Sequence, residues 1–69
     1  MKTNLRKYRF EGGELSQQRL AEMVRITRQT IIAIERGHYS PSVKLALLLA
    51  HKLGTTVENL FELEESDYV

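Results

Sequence analysis

The stretch that decides the fold spans residues 15–37 and reads LSQQRLAEMVRITRQTIIAIERG. On both sides of Arg25-Ile26, apolar residues recur at intervals of three and four, which is the spacing of amphipathic helices that pack face to face. Ser16 and Thr27 precede the two apolar segments, and their hydroxyls can accept a hydrogen bond from a free backbone N–H in the first turn of a helix. The pattern predicts two short helices joined by a tight turn, with Ile26 as its inward anchor.

A first helix is predicted before this pair, from Asn4 through about Glu11. Asn4 can cap it, and Gly12-Gly13 can end it. Leu5 and Tyr8 fall on its inward face, whereas the basic residues Arg6, Lys7 and Arg9 fall on its outer face or along its edge.

Two further helices are predicted in the second half of the chain. The fourth begins at Ser40-Pro41, with the serine as cap and the proline in the first turn, where it is tolerated. It ends at Leu53-Gly54. Thr55 or Thr56 then caps a short fifth helix over residues 57–60. Together these elements predict an all-α domain of five helices.

The segment after the fifth helix alternates between apolar and acidic residues. Phe61 and Leu63 fall on one face of an extended chain, which favours a short strand paired with Met1 to Thr3. A frayed tail is the alternative. The acidic segment 62–67 is expected to be a solvated end that points away from any polyanion.

The fourth helix is apolar over more than one stripe. A domain this small cannot bury all of that surface within one subunit. The apolar side chains left outside the core are predicted to be Leu47 and Leu48, so part of the helix is predicted to face a partner. With Phe61 and Leu63, these residues form the predicted interface of a homodimer.

Composition limits the classes of protein and site. The 69 residues predict one domain over residues 1–69, and the absence of cysteine excludes a disulfide framework and a thiolate metal site. His38 and His51 are too far apart for a helical metal pair, so no metal or cofactor is expected. No apolar run approaches the roughly 20 residues of a membrane span, and no signal-peptide pattern is present, so a cytoplasmic location is expected.

Charge is unevenly distributed between the two halves. Residues 1–38 hold eight Lys or Arg against four Glu, whereas residues 39–69 hold two Lys against five Asp or Glu. The basic half contains the central helix pair, which is what a polyanion-binding surface requires. Ser16 and Ser40 are explained as caps without a role as nucleophiles, so no catalytic residue and no enzyme activity are expected.

Two short helices with a cation and an amide at the start of the second have the layout of a helix-turn-helix DNA reader. The amino end of the second helix would enter the major groove, where Arg28 can bond to O6 and N7 of guanine and Gln29 to N6 and N7 of adenine. Thr30 and Ala33 lie close to the same face. Ile32 either contacts a thymine methyl or packs on a sugar.

These residues resemble the Xre family of lambda-repressor/Cro-like regulators, in particular its small cytolysin-repressor-like members. The resemblance covers the chain from about Asn4 to Phe61 and rests on Leu15-Ser16-Gln17-Gln18, Leu20-Ala21, Thr27 to Ile31, Ile34 to Gly37, Ser40-Pro41-Ser42 and Leu53-Gly54. It implies double-stranded DNA as the partner. The chain departs from the family at Arg25, where glycine is usual, and at a loop over residues 11–14 that is one residue longer.

Gln17 begins the second helix, where its amide and the free backbone N–H groups can bind a phosphate, and it can also brace Arg28. The resemblance implies that Glu35 pairs with Arg9. It also implies that the chain after the third helix returns to the DNA backbone. The candidates for backbone contacts, with Gln17, are Thr27, Arg36, His38, Tyr39, Ser42 and Lys44.

The sequence thus predicts a dimeric transcriptional regulator that binds a pseudo-palindromic operator, with repression favoured over activation. One alternative is an antitoxin, which binds a toxin protein as well as its own operator. The other is a protein-interaction module that has kept the fold and lost DNA binding, which the presence of Arg28, Gln29 and Gln17 argues against.

Overall fold

A computed structural model describes residues 1–68 of the chain. Within that range the fold is mostly helical, as predicted, with five α-helices and one pair of short strands. In chain order the elements are β1 (Lys2–Thr3), α1 (Leu5–Glu11), α2 (Gln17–Val24), α3 (Arg28–Glu35), α4 (Val43–Leu53), α5 (Val57–Leu60) and β2 (Phe61–Glu62), followed by a 3₁₀ turn at Glu65–Tyr68.

One hydrophobic core joins all five helices. Its fully buried large side chains are Leu5 of α1, Leu20 of α2, Ile31 and Ile34 of α3, Leu49 of α4 and Leu60 of α5. Ala21 on α2 is also fully buried, and a residue this small lets neighbouring helices approach closely. None of the helices between residues 1 and 68 has both the length and the apolarity needed to cross a lipid bilayer.

Three of the predicted helix caps are confirmed. The hydroxyls of Ser16, Thr27 and Thr56 accept hydrogen bonds from the backbone N–H three residues later, at 3.0, 3.4 and 3.1 Å. Each bond satisfies one of the donors that a helix leaves free in its first turn. These hydroxyls therefore set the starts of α2, α3 and α5.

The predicted start of α4 is wrong by two residues. Ser42, not Ser40, is the cap: its backbone is extended and its Oγ accepts a 3.1 Å bond from Leu45 N–H. Pro41 consequently precedes the helix instead of occupying its first turn. A serine stands on each side of the proline, and Ser42 is the one whose hydroxyl reaches the free N–H of the first turn.

Asn4 lies at the cap position of α1, but the predicted side-chain cap is absent. Its Nδ2 instead donates to the Asn59 carbonyl at 3.0 Å and to Glu62 Oε2 at 2.9 Å. The hydroxyl of Thr3, and not the side chain of Asn4, accepts a hydrogen bond from the backbone N–H of Leu5, at 3.2 Å. Asn4 thus ties the start of α1 to the end of α5 and to β2.

The turn between α2 and α3 contains a left-handed residue that is not glycine. Arg25 has φ 59° and ψ 47°, and its N–H donates to the carbonyls of Ala21 and Glu22. Ile26 N–H donates to the same Ala21 carbonyl at 3.0 Å, and its side chain packs on the core. This backbone costs an ordinary residue about 1 kcal/mol relative to glycine.

The predicted strand is present, and the alternative of a frayed tail is wrong for residues 61–62. β1 and β2 pair antiparallel, with Lys2 opposite Glu62 and Thr3 opposite Phe61. The acidic segment that follows is exposed, but it also contacts the amino end. The Met1 ammonium lies 3.1 Å from Glu64 Oε1 and 3.1 Å from Asp67 Oδ2.

The exposed apolar surface differs from the prediction at two of four positions. Leu47 and Leu63 are exposed, as predicted, at 56% and 61% of their surface. Leu48 and Phe61 are instead half-buried against the subunit's own core. Val43 is 77% exposed and takes the place of Leu48 on the exposed apolar surface of α4. The sequence could not distinguish the two residues, since the packing of α4 on α2 decides which face of the helix is covered.

Candidate nucleic-acid interface

The amino end of α3 projects its first two side chains into solvent. Arg28 and Gln29 are both exposed, immediately after the Thr27 cap. Ile31 and Ile34 on the opposite face are fully buried and hold the helix on the core. The two exposed side chains are therefore presented by a firmly packed helix.

The other α3 residues predicted to meet bases are more covered. Thr30, Ile32 and Ala33 are half-buried. The hydroxyls of Thr27 and Thr30 are hydrogen-bonded to each other at 3.1 Å, which occupies part of their capacity for an outside ligand. Arg28 and Gln29 are thus the most accessible of the predicted base readers.

A cleft of about 570 Å³ lies beside Arg28, between α1, the start of α2 and α3. Its lining residues are Arg6, Arg9, Ser16, Gln17, Arg28, Ile32, Glu35 and Arg36. Four guanidinium groups thus face one carboxylate, which leaves a net positive charge. Because α2 begins here, the free N–H groups and positive dipole end of that helix add to the attraction for an anion.

Arg9 and Glu35 form a bidentate ion pair at the base of this cleft. Arg9 Nε lies 2.8 Å from Glu35 Oε2, and Nη2 lies 3.3 Å from Oε1. Arg9 is only 7% exposed, so the prediction that it lies on the outside or edge of α1 is wrong. Its third nitrogen, Nη1, donates to the Leu15 carbonyl at 2.7 Å, which ties the loop after α1 to the pair.

Gln17 connects this ion pair to the exposed end of α3. Its Nε2 donates to Glu35 Oε1 at 3.1 Å. Its Oε1 faces the guanidinium of Arg28, whose Nε and Nη2 both lie 3.4 Å away. The structure therefore places Arg9, Glu35, Gln17 and Arg28 in one continuous polar chain.

The remaining predicted backbone contacts are exposed but do not form one group. Arg36 lines the cleft beside Arg28. Ser42 and Lys44, at the start of α4, line a separate hollow with Arg25. His38 and Tyr39 lie in the loop between these two places and are also exposed. The cationic candidates therefore fall in two separate places, the cleft beside Arg28 and the hollow formed by the α2–α3 turn and the start of α4.

Two basic residues at these positions were not among the contacts predicted from the sequence. Arg6 lines the cleft. Its position three residues before Arg9 could have indicated this, because residues three apart lie on the same face of a helix. Arg25 lines the same hollow as Lys44. In the sequence it stood out only because the resembling family usually has glycine at that turn position. Both are exposed.

Residues 5–60 match the helix-turn-helix family. The chain belongs to this family. An HTH-type transcriptional regulator from Methanothermobacter thermautotrophicus is 52% identical over 66 residues, which are 94% of each chain. One from Methanocaldococcus jannaschii is 43% identical over 97% of this chain and all of its own, and one from Bacillus subtilis is 42% identical over the same shares.

A solved structure supports the same fold. The clp gene regulator ClgR from Corynebacterium glutamicum superposes with a TM-score of 0.72 and 31% sequence identity. The match covers 80% of this chain and 57% of the ClgR chain, so this chain spans little more than half of that protein.

Proposed function

We propose that this protein is a sequence-specific DNA-binding transcriptional regulator, and that it represses by occupying a pseudo-palindromic operator as a dimer. One observation carries the proposal: Arg28 and Gln29 are exposed on a well-anchored helix start, next to a cleft lined by four arginines. The similar proteins of nearly equal length that are named as transcriptional regulators support it.

In this proposal α3 lies in the major groove. Arg28 and Gln29 bond to base edges, and Ala33 and Thr30 lie nearer the groove wall. Backbone phosphates are bound on either side of the helix, by the cleft and by the start of α4. The residues assigned to phosphate are Gln17, Thr27, Arg36, His38, Tyr39, Ser42 and Lys44, and we add Arg6 and Arg25 to them because of their positions.

The proposed dimer uses the exposed apolar face of α4. Val43 and Leu47 line an apolar groove of about 520 Å³ between α4 and α5. An apolar groove on so small a domain is more typical of an interface than of a free surface. A two-fold dimer would set the two α3 helices about 34 Å apart, one turn of DNA.

Repression by occlusion needs only DNA binding and dimerisation, so it is the simpler of the two modes of regulation. The same apolar groove supports the antitoxin alternative, in which a different polypeptide occupies it. Purification of the protein with an unlike polypeptide bound at the Val43 and Leu47 face would favour that alternative.

Selection of bound sequences from a random duplex pool tests the proposal. A specific regulator enriches a motif with two related half-sites whose centres lie about one helical turn apart. The matched control is the Arg28→Ala and Gln29→Ala double variant, which should enrich no motif while keeping its fold. Recovery of unselected DNA by the unmodified protein would overturn sequence-specific regulation.

A further inference from the structure

We infer that Glu35 is a positioning residue for base reading: through the amide of Gln17 it sets which polar atom faces Arg28. The inference rests on the proposed function, because it concerns how Arg28 is held for a base. It adds a role for a buried residue that touches no DNA in the proposed complex.

The first step is the orientation of Glu35. Arg9 donates to both carboxylate oxygens, and the two side chains are 9% and 8% exposed. A carboxylate only accepts hydrogen bonds, whereas an amide has one accepting oxygen and one donating nitrogen. Glu35 therefore requires Gln17 to turn its Nε2 inward, as the 3.1 Å bond shows.

The second step follows from the geometry of the amide. When Nε2 faces Glu35, Oε1 faces the other way, toward Arg28 Nε and Nη2 at 3.4 Å. A guanidinium only donates, so it matches this oxygen and would be repelled by the amide nitrogen. A flipped amide would be mismatched at both ends. The charge of Glu35 thus favours one position of the exposed guanidinium.

The Arg28 bonds are long, so the effect is a bias on its rotamer and not a rigid lock. Gln17 engages only the Nε hydrogen and one Nη2 hydrogen of Arg28, so Nη1 and the other Nη2 hydrogen can meet a base while these bonds are kept. A guanidinium already held near that position loses less side-chain freedom on binding. The expected contribution is that of one or two weak hydrogen bonds, which is about three- to tenfold in affinity for the preferred operator.

The test uses Glu35→Gln, which changes no more than one atom of the buried group. Arg9 then binds the new amide oxygen, the new amide nitrogen faces Gln17, and Gln17 must flip and turn its own nitrogen toward Arg28. The quantity measured is the ratio of affinities for the selected operator and a scrambled duplex. Glu35→Gln should lower this ratio about three- to tenfold.

Two further variants separate positioning from simple loss of structure. In an Arg28→Ala background, Glu35→Gln should leave the ratio unchanged, because no guanidinium remains to be positioned. The exchanged pair Gln17→Glu with Glu35→Gln places an accepting carboxylate beside Arg28 again and should restore the ratio. An equal fall with and without Arg28, or no restoration by the exchanged pair, would overturn the inference.

If Glu35→Gln does not fold at the assay temperature, Gln17→Met replaces it. That variant removes the amide, leaves the ion pair of Arg9 and Glu35 in place, and should lower the ratio only when Arg28 is present. A ratio near one for the unmodified protein refutes the proposed function itself. A high ratio that neither Glu35→Gln nor Gln17→Met changes refutes only the positioning role.

Discussion

Arg9 and Glu35 are held together by two hydrogen bonds, at 2.8 and 3.3 Å, although they lie 26 residues apart and on different helices. Both side chains are less than one-tenth exposed. The pair links α1 to the end of α3, and the longer loop after α1 does not prevent it. A buried pair of this kind adds little net stability over apolar packing, but it is costly to break from one side.

The first prediction concerns that asymmetry. Arg9→Met leaves the Glu35 carboxylate buried with Gln17 as its remaining partner, so it should destabilise the fold by about 3 kcal/mol. The double variant Arg9→Met with Glu35→Leu should lose less than the single one. Chemical unfolding of the four proteins in a double-mutant cycle measures this, and a coupling energy of zero would contradict a functional pairing of the two charges.

The second prediction concerns the left-handed turn at Arg25. Arg25→Gly relieves the steric cost of positive φ, whereas Arg25→Ala keeps it, so the glycine variant should be more stable than the alanine variant by about 1 kcal/mol. The comparison of these two variants removes any effect of the lost guanidinium. Equal unfolding midpoints would show that the turn is not strained.

The third prediction concerns the two chain ends. The Glu64 and Asp67 carboxylates raise the pKa of the Met1 ammonium above 8.0, and the Glu64 backbone N–H together with that ammonium lowers the pKa of Asp67 below 3.8. The contribution of Asp67 to the free energy of unfolding is lost as the pH falls below 3.8, and the contribution of the Met1 ammonium is lost as the pH rises above 8.0.

The stability difference between the unmodified protein and Asp67→Asn should therefore be largest between these two pH values and shrink outside them. Unfolding curves across the pH range measure it, and the difference should be small throughout because the groups are exposed. A difference that grows below pH 3.8 would have the wrong sign.

The fourth prediction concerns the proposed dimer. Leu47→Glu places a charge on the exposed face of α4 and should give monomers without loss of fold. Gln18→Glu adds the same charge to the exposed surface of α2 and is the matched control. Sedimentation of all three proteins at micromolar concentration measures whether each is a monomer or a dimer. Monomers of the unmodified protein, with and without DNA, would refute the dimer.

Much of the fold was predictable because its signals are local. Hydroxyls at Ser16 and Thr27 and the glycine at position 54 mark helix ends through bonds within one turn. The start of α4 was not predictable in the same way, because Ser40 and Ser42 flank one proline and only the backbone decides between them.

The features that depend on how helices cross were harder to predict. Leu48 and Val43 are both apolar residues of α4, but Leu48 is half-buried and Val43 is exposed, and this difference depends on how α2 packs on α4. Arg6 reaches the cleft because α1 packs across α3. The bond from Gln17 to Glu35 likewise joins residues that no short-range pattern brings together.

In the proposed complex, side chains of α3 contact base edges while other residues contact the DNA backbone. Arg28→Ala and Gln29→Ala should each cost about 1–3 kcal/mol on the selected operator and little on scrambled DNA, because a bidentate contact is lost only where the right base is present. Lys44→Ala should weaken both duplexes alike and reduce the salt slope by about 0.9, since a lysine on phosphate displaces a condensed counterion from any sequence.

Titration of operator and scrambled duplexes at several salt concentrations is the most direct test of this claim. The Arg28 and Gln29 variants are expected to lose affinity for the operator alone, with the salt slope on scrambled DNA unchanged. Equal losses on both duplexes would place α3 on the DNA backbone instead of in the groove, and would contradict sequence-specific regulation by this protein.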